Sequence, residues 1–417
     1  MILPIYRMND ITFFQVKSIH DVQMLLEGRI PRKEEEIPLL ESYRRVLAED
    51  IISPVSLPPF HKSIMDGVAV RSSDVQSATE TSPVPLRCIE HIFAGTAPQK
   101  EIHPGTCSLI ATGAPLPQGA DAVVMIEYVT QNAAHISIKK AVYPGENIIC
   151  EGNDVKKGDV LFTKGTLLSP GVLGSIAGTG IRSVTVLSNP HIGILSTGEE
   201  LIDTGELGPA TIYDVNSYLL YALCQKMGAV PHRLGIVRDD YPSLRDAITT
   251  ALEKHHEHDH TYEYDMLLLT AGVSKGSKDL VRSVCAELGT ILFHGIALKP
   301  GKPTLAADLG ALVFGLPGNP YSCFVTFLLL VAPLISQASG IPFHIQKKSL
   351  PLAEKIFSSK GRQHYVPVMI SDKAYPIYEE SGSLKILHAQ GLVEVPQEME
   401  YLEKDQEVEV LFMEGLL

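Results

Sequence analysis

The chain has 417 residues and a mass of 45.4 kDa. One compact core usually holds about 100 to 150 residues, so three or four domains are expected. A net charge of −13 argues against a nucleic-acid-binding protein, and a hydrophobic fraction of 45% with 20% charged residues excludes a disordered or collagen-like chain. The six cysteines form no C-x-x-C pair, so neither a zinc knuckle nor a disulfide framework is predicted.

The amino terminus and the longest apolar run favour a cytoplasmic protein. The first residues, MILPIYRMND, lack a basic segment followed by a long apolar stretch, so no secretory signal is expected. The longest apolar run, Cys323 to Ile335, is shorter than the roughly 20 residues that span a bilayer. We therefore expect neither a membrane nor a nucleic acid among the partners.

The first part of the chain predicts a helix, a connector and a small β domain. Ser18 with Asp21 resembles a capping box before a stripe of apolar residues at helical spacing. The proline-rich stretch Ser53 to Pro59 indicates a domain boundary. Short β-rich runs between turn residues then predict a β domain from Gly67 to about Gly152. A glycine-rich connecting module follows, and its pattern does not decide its fold.

The segment from His191 to Ile335 alternates between apolar strands and amphipathic helices. This alternation predicts an α/β domain with a mostly parallel sheet that helices cover on both faces. After Gly340 the pattern returns to short strands and predicts a terminal β domain. The strands expected there include Tyr365 to Ile370, Lys385 to Leu387 and Glu407 to Phe412.

Four loops rich in glycine or proline follow apolar runs in the second half of the chain. A strand that ends in glycine lets backbone N–H groups approach an anion, and the following helix adds the positive end of its dipole. Several such loops at one sheet edge predict a site for phosphate or another oxyanion. The loops are Ser196 to Leu201 (STGEEL), Thr270 to Asp279 (TAGVSKGSKD), Lys299 to Pro303 (KPGKP) and Leu316 to Pro320 (LPGNP).

Two of these loops also have a purely structural explanation. Asn319 can cap a helix that begins at Pro320, and a turn before any buried helix would use similar residues. Gly272 frees the backbone beside Ser274, and the loop holds more potential phosphate donors than a simple strand-to-helix turn requires. Asp279 is either a helix cap or a Mg²⁺ ligand.

Carboxylates accumulate at the same predicted sheet edge. Any one of them could be a solvated loop acid, but several beside anion loops indicate a hard cation, because Mg²⁺ takes oxygen ligands and bridges phosphates. Lys299 and Lys302 are then natural counter-charges for an oxyanion. The stretch His255 to His260 resembles a metal tract, but its position between a helix and a strand favours a solvated loop. The acids are Glu199, Glu200, Asp214, Asp239, Asp240 and Asp279.

Short motifs occur in a fixed order along nearly the whole chain. They are R-V-L-A-E-D (45–50), S-x-M-D-G-x-A-V-R (63–71), T-G-A-P (112–115), G-E-N-I (145–148), S-T-G-E-E-L (196–201), I-Y-D-x-N (212–216), G-I-V-R-D-D (235–240), G-V-S-x-G (272–276), K-P-G-K-P (299–303) and G-L-P-G-N-P (315–320). Together they resemble the molybdopterin molybdenumtransferase family, which inserts molybdate during molybdenum-cofactor biosynthesis and includes the C-terminal domain of gephyrin.

The resemblance implies a four-part chain that forms a homodimer. The parts would be an α/β domain (14–33 and 188–342) similar to molybdopterin adenylyltransferase, a linking module (34–59 and 154–187), an inserted small β domain (60–153) and a C-terminal β-barrel (343–417). The implied reaction is the Mg²⁺-dependent insertion of molybdate into adenylylated molybdopterin, with release of AMP. Molybdopterin adenylyltransferase and acceptor molybdoenzymes are candidate partners.

By position, the resemblance also implies site residues. Glu200, Asp239 and Asp279 would lie near Mg²⁺ and the anhydride, and Lys299 would hold molybdate or phosphate. The implied catalytic set is Asp66, Thr112, Asp154, Glu200, Asp239, Asp279 and Lys299. The residues implied for binding the nucleotide and the pterin phosphate are Ser196, Thr197, Gly272, Ser274, Lys302, Gly318 and Asn319.

Seven positions depart from the usual pattern of this family. Three of them stand where many relatives carry arginines, and losing such charge-assisted bonds could weaken binding by roughly 1.5 to 3 kcal/mol each. Two alternatives therefore stay open, namely a non-catalytic molybdopterin-binding or scaffold relative and, from the loops alone, a nucleotide-phosphate hydrolase. The substituted positions are Ile149, Cys150, Glu151, Asn153, Ala271, Ser277 and Gly295.

Overall fold

A computed structural model describes residues 16–132, 135–253, 255–257, 260–270, 280–378 and 388–413. Internal contacts divide these residues into two compact units. The first holds the described residues up to Glu36, Arg44–Val46 and those from Thr185 onward, and the second holds Ile37–Tyr43 and Leu47–Val184. The finer four-part division remains a prediction.

The first unit contains a six-stranded sheet that carries the predicted strand–helix alternation. Five of its strands run in one direction, and Leu305–Asp308 runs against its neighbours. The sheet is therefore mostly parallel, as predicted, with one antiparallel strand. In spatial order the strands are Val230–Val237, His191–Thr197, Met266–Thr270, Leu312–Leu316, Leu305–Asp308 and Thr290–His294.

Helices cover both faces of this sheet, as predicted, because side chains alternate along each strand. Met266 and Leu268 belong to one buried core, and Leu267 and Leu269 belong to the core of the opposite face. The helices of the first face are Ile19–Leu26, Asn216–Lys226, Pro320–Thr326 and Ala332–Ser339. Those of the second face are Tyr241–Ala251 and Leu280–Leu288.

One helical run is longer than the apolar run, Cys323 to Ile335, that the sequence shows. A π-helical turn, Phe327–Val331, joins two α-helices, so that Pro320–Ser339 forms 20 helical residues that are apolar enough to cross a membrane. However, 72% of the most apolar part of this run is buried inside the fold. Its packing against the central sheet, rather than its length, identifies it as a core helix.

A second sheet of the first unit contains most of the C-terminal strands of the described residues. Its first strand, Leu298–Lys299, pairs in parallel with residues of the longest strand, Gln363–Ile370. Lys385 to Leu387, a predicted strand, lies outside the described residues, and closure into a barrel remains a prediction. The other strands are Lys347–Pro351, Ala374–Pro376, Gly391–Val395 and Glu407–Phe412, with a separate pair formed by Ile356–Phe357 and Tyr401–Leu402.

The second unit contains the predicted β domain as a six-stranded sheet. In spatial order its strands are Ala122–Met125, Gly67–Val70, Thr106–Ile110, Val84–Ile92, His135–Ile138 and Val129–Asn132. The unit also contains two short strand pairs, Lys62–Ser63 with Ile148–Ile149 and Ile51–Ile52 with Val160–Phe162.

The connecting module contains a helix that the sequence pattern did not reveal. This helix, Pro170–Gly178, begins after the cap Ser169, whose side chain accepts from the Val172 N–H. Glycine is a poor helix former, so Gly171 and Gly174 concealed the helix in the sequence.

The predicted loop in the histidine-rich stretch is wrong. His255–Glu257 and His260–Tyr262 pair as an antiparallel hairpin. Hairpin pairing depends on the backbone, and the polar composition of the stretch does not exclude it. Within the part of the chain that the structure describes, no group of three or more His, Cys, Asp or Glu side chains is arranged to hold a metal ion.

Candidate functional site

The carboxyl ends of four parallel strands lie side by side at one edge of the central sheet. Thr197 is in register with Val237, and Thr270 is in register with Leu316. The loop 271–279, with Gly272, Ser274 and Asp279, lies outside the described residues. Residues 198–201, 238–240 and 317–319 are therefore the described residues that follow these strands, and we call this edge the carboxyl edge.

The fourth loop, Lys299–Pro303, also lies at this edge. It is part of the connection from Thr290–His294 to Leu305–Asp308, and Leu305 is in register with both His294 and Gly315. Lys299 belongs to the strand that pairs with Gln363 and His364 in the second sheet. The edge strand Thr290–His294 of the central sheet ends before this crossover. A sheet-to-sheet crossover of this kind leaves no local trace in the sequence, because it depends on pairing with distant residues.

A buried chain of hydrogen bonds lies directly below the carboxyl edge. The Thr270 hydroxyl donates to Ser196 Oγ at 3.1 Å, and the Ser196 hydroxyl donates to Asp214 Oδ2 at 2.6 Å. Asp214 Oδ1 also accepts from the Ser217 N–H at 3.1 Å. Ser196 and Thr197, both predicted phosphate contacts, have fully buried side chains. Ser196 therefore supports the edge from below through Asp214.

The Leu316–Pro320 loop is tied to the start of a neighbouring helix. The Asn216 side-chain amide donates to the Gly318 carbonyl at 2.8 Å, while the buried Asn216 Oδ1 has no hydrogen-bond partner among the described residues. Asn319 caps the helix Pro320–Thr326 by accepting from the Ser322 N–H at 3.1 Å, as predicted. These contacts hold Gly318 and Asn319 at the carboxyl edge.

Two adjacent aspartates at this edge differ in their surroundings. Asp240 caps the helix Tyr241–Ala251, and its bonds from the backbone N–H and hydroxyl of Ser243 hold the pKa of its carboxyl below the usual range. Asp239 Oδ1 is buried and has no hydrogen-bond partner in the described parts of the chain. Asp240 therefore stabilises the fold as a helix cap, whereas Asp239 offers a buried carboxylate oxygen to a ligand.

Glu200 lies in the turn that follows the neighbouring strand, His191–Thr197, and is exposed. Its carboxylate folds back over Gly198, where an added Cβ would lie 2.8 Å from Glu200 Oε2. Only glycine allows this close approach without a shift of the glutamate. The sequence therefore needs Gly198 if Glu200 is to keep this position.

The acids of the carboxyl edge fit the Mg²⁺ ion that the family resemblance implies. Mg²⁺ is usually bound through one or two carboxylates together with substrate phosphates, rather than by a complete protein cage. The unpaired buried oxygen of Asp239 suits one such ligand, because an uncompensated carboxylate oxygen is costly to bury. Glu200 could supply the second, and Asp279 lies outside the described residues.

Lys299 lines a cavity of about 240 Å³, which we call the Lys299 cavity. Burial and the charge of Arg362 hold the pKa of Lys299 below its usual range. His364 and Tyr321 also line this cavity, and Tyr321 immediately follows the first residue of the helix that Asn319 caps. Lys302, the other predicted cation, lies in the turn that follows Lys299 and is half-buried.

Sequence reasoning missed Arg362 and His364. Their only signal is the turn residue Gly361 followed by a cation just before a strand, a pattern too common to identify a site. Strand pairing between Lys299 and His364, 65 positions apart in the sequence, brings them together.

Three motif loops of the second unit are bonded to one another. Asp66 Oδ1 accepts from the Thr112 N–H at 2.7 Å and from its hydroxyl at 2.9 Å, and these bonds hold the pKa of Asp66 below its usual range. The Ser63 N–H donates to the Ala114 carbonyl at 3.0 Å, and Ser63 is in register with Ile148. Two predicted site residues, Asp66 and Thr112, are thus in direct contact.

Asp154 lies in the stretch that carries four of the family departures. It is exposed and accepts from the Asn153 side-chain amide at 3.3 Å. Cys150 is exposed, and the Glu151 N–H donates to His61 Nδ1 at 3.1 Å. This stretch therefore lies next to the S-x-M-D-G segment without contributing an arginine to it.

Comparisons with known proteins match most of the chain. Three family models match consecutive parts of the chain: the MoeA N-terminal region (domain I and II) at residues 16–180, the probable molybdopterin binding domain at 193–337 and the MoeA C-terminal region (domain IV) at 349–413. The molybdopterin molybdenumtransferase of Bacillus subtilis is 39% identical over 308 residues, which cover 72% of this chain and 70% of that protein. The chain belongs to the molybdopterin molybdenumtransferase family. The predicted membership is confirmed.

Other members of the molybdopterin molybdenumtransferase family and their relatives match over more of the chain. A putative molybdopterin biosynthesis protein of Methanocaldococcus jannaschii is 34% identical over 92% of this chain and 93% of its own length. The crystal structure of a molybdopterin biosynthesis MoeA protein from Pyrococcus horikoshii has a TM-score of 0.85 and 36% identity, and the match covers 95% of this chain and 99% of that one. The predicted multidomain fold, with a molybdopterin-binding domain and a separate C-terminal domain, is confirmed at this level.

Proposed function

We propose that this protein is a molybdopterin molybdenumtransferase that inserts molybdate into adenylylated molybdopterin and releases AMP. The observation that carries the proposal is the helix Pro320–Thr326, which connects two chemically different sites. Asn319, its cap, belongs to the carboxyl edge with the acids, and Tyr321, in its first turn, lines the cationic Lys299 cavity. A nucleotide phosphate with its cation and a separate oxyanion therefore fit within one helical turn of each other.

Each site suits one part of this substrate set. Asp239 and Glu200 would hold Mg²⁺, which when bound neutralises charge that develops on the departing phosphate. Gly318 and Asn319 offer a backbone turn at a helix start to a substrate phosphate. Lys299, with Arg362 nearby, would hold the oxyanion, because both cations lack a carboxylate partner among the ion pairs of the described residues.

We extend the proposal to the second unit and to the assembly. Asp66 and Thr112, which are bonded to each other, and Asp154 would be the functional residues of the second unit. The protein would act as a cytoplasmic homodimer that receives its substrate from molybdopterin adenylyltransferase and delivers product to molybdoenzymes. The second candidate function, a non-catalytic molybdopterin-binding relative, is favoured by one observation, the absence of arginine at Ile149, Cys150 and Glu151.

The test combines adenylylated molybdopterin, molybdate and Mg²⁺ with the purified protein. AMP release and activation of a molybdenum-free apoenzyme are followed together. We expect Lys299→Ala to lower molybdate-dependent AMP release about 10- to 150-fold, the equivalent of one charge-assisted bond. Lys347→Ala, which removes an exposed lysine paired with Glu409, serves as the control and should leave the rate unchanged.

The outcomes separate the candidate functions. AMP release that ignores molybdate would indicate a nucleotide-phosphate hydrolase. Tight binding of the pterin substrate with neither signal would indicate the non-catalytic relative. Only AMP release coupled to apoenzyme activation supports the transferase.

A further inference from the structure

His364 is a titratable group in the Lys299 cavity to which the proposed reaction gives no role. It lies on the strand Gln363–Ile370, in register beside Lys299, and its Nδ1 lies 3.1 Å from Ser358 Oγ. Burial, followed by the charges of Lys299 and Arg362, lowers the pKa of His364 to about 4. The imidazole is therefore neutral near pH 7 as long as no anion is present.

The groups around His364 differ in whether they carry charge. Lys299 and Arg362 are cations, whereas the Glu394 carboxylate is occupied by the Gln363 amide at 2.6 Å and the Tyr365 hydroxyl at 3.2 Å. Burial raises the pKa of Tyr365 and of Tyr378, so both phenols stay neutral. The titratable groups that line the cavity together with the ring are Lys299, Tyr321, Tyr365 and Tyr378, and the charge of Arg362 also acts on the ring.

We propose that His364 takes up a proton when a tetrahedral oxyanion binds beside Lys299, so that the occupied cavity holds the anion with an imidazolium as well as the Lys299 ammonium. The inference rests on the proposed function, which places the oxyanion at Lys299. A dianion in the cavity opposes the field of Lys299 and Arg362, which adds to burial in keeping the ring neutral. The protonated ring also gains a charge-assisted hydrogen bond to an anion oxygen.

The sign of the pH dependence follows from this linkage. The form of the protein that carries the proton binds the anion more tightly, and anion binding raises the pKa of His364 above the value of about 4 in the free protein. Between the free and bound pKa values, affinity falls by up to about tenfold for each unit of rising pH. Below both values the ring is protonated in either state, and above both it is neutral in either state, so the affinity levels off.

The test uses sulfate as the probe, because it has the tetrahedral geometry and charge of molybdate and stays a dianion between about pH 5 and 8. Calorimetric titrations of the full chain in buffers of different ionisation enthalpy count the protons taken up per sulfate. The variants are His364→Gln, Lys299→Ala to locate the anion, and His344→Gln as a control at an exposed histidine. The ring signal of His364, followed by NMR in the unsubstituted protein with and without sulfate, gives the same information independently of any folding defect.

We expect proton uptake that grows below about pH 6 in the unsubstituted protein and in His344→Gln, and none in His364→Gln. Sulfate binding that depends on Lys299 without proton uptake, or a ring signal that sulfate does not shift, would overturn the inference. Unchanged sulfate binding in Lys299→Ala would overturn it as well, by removing the anion from this cavity. A failed AMP-release assay alongside intact proton uptake would refute the proposed function alone.

Discussion

At the scale of single residues, Asp239 and Asp240 test whether position or surroundings make an acid functional. Asp239→Ala removes a buried oxygen without a partner in the described structure, so the free energy of unfolding should hold or rise, by at most about 1 to 3 kcal/mol. AMP release should nevertheless be lost. Asp240→Ala removes a helix cap and should lower the melting temperature while retaining activity. Urea unfolding and the AMP assay on both variants make the comparison.

The reverse pattern would contradict this assignment. If Asp239→Ala lowered stability and kept activity, the carboxylate would be part of the fold, and Mg²⁺ would need other ligands. Because the two residues are adjacent in the sequence, each variant is a matched control for the other.

The contact between Thr112 and Asp66 predicts a pH effect at a single carboxyl. The lowered pKa of Asp66 comes first from the Thr112 backbone N–H and then from its hydroxyl. A lowered folded-state pKa stabilises the fold above the unfolded value, about 3.9, and the contribution is lost as the pH falls through the folded value. Thr112→Val keeps the backbone bond, so the pKa of Asp66 should rise part of the way toward its usual range.

NMR titration of the Asp66 carboxyl carbon measures this shift. Thr96→Val, at an exposed threonine of the same unit, is the control and should leave the titration unchanged. An unaltered Asp66 titration in Thr112→Val would show that the hydroxyl contributes nothing to the contact.

At the scale of one element, the strand Gly67–Val70 depends on its first residue. It pairs with strands on both sides, and a Cβ at Gly67 would lie 2.0 Å from the Val124 carbonyl oxygen. Gly67→Ala must therefore push the neighbouring strand away, and we expect a loss of about 1 to 3 kcal/mol in the free energy of unfolding. Gly174→Ala is the control, because nothing lies within 4 Å of its added Cβ and its helix should gain about 0.5 to 1 kcal/mol.

Urea unfolding should give a lower free energy of unfolding for Gly67→Ala, and a higher one for Gly174→Ala, than for the unsubstituted protein. Equal stability of Gly67→Ala and the unsubstituted protein would show that the sheet can accommodate the methyl group. Because Gly67 follows Asp66 directly, the variant should also disturb the bond between Asp66 and Thr112.

At the scale of the whole molecule, the two compact units predict stepwise unfolding. Each unit has its own buried cores, and chains built in this way often depart from two-state behaviour. Differential scanning calorimetry should show two transitions, with Gly67→Ala lowering one of them and Asp240→Ala lowering the other. A single transition that both variants shift equally would contradict independent unfolding of the units.

The amino-acid sequence by itself determines the features that depend on neighbours along the chain. The Ser18 and Asn319 caps are readable because a cap is completed within three residues. The strand–helix alternation from His191 to Ile335 follows from side-chain periodicity, and the loops of the carboxyl edge follow from it because parallel strands end together. Family membership follows from the ordered motifs.

Only the tertiary structure decides which residues from distant segments share a site. It places Lys299 in the second sheet beside His364, and it turns the Ser196 hydroxyl toward Asp214. It also leaves Asp239 Oδ1 buried without a partner among the described residues, while the adjacent Asp240 caps a helix. None of these outcomes has a local signal, because strand pairing and burial depend on contacts between segments far apart in the sequence. The chemistry available to the site was therefore visible in the residue types, whereas the partner of each residue was set by packing.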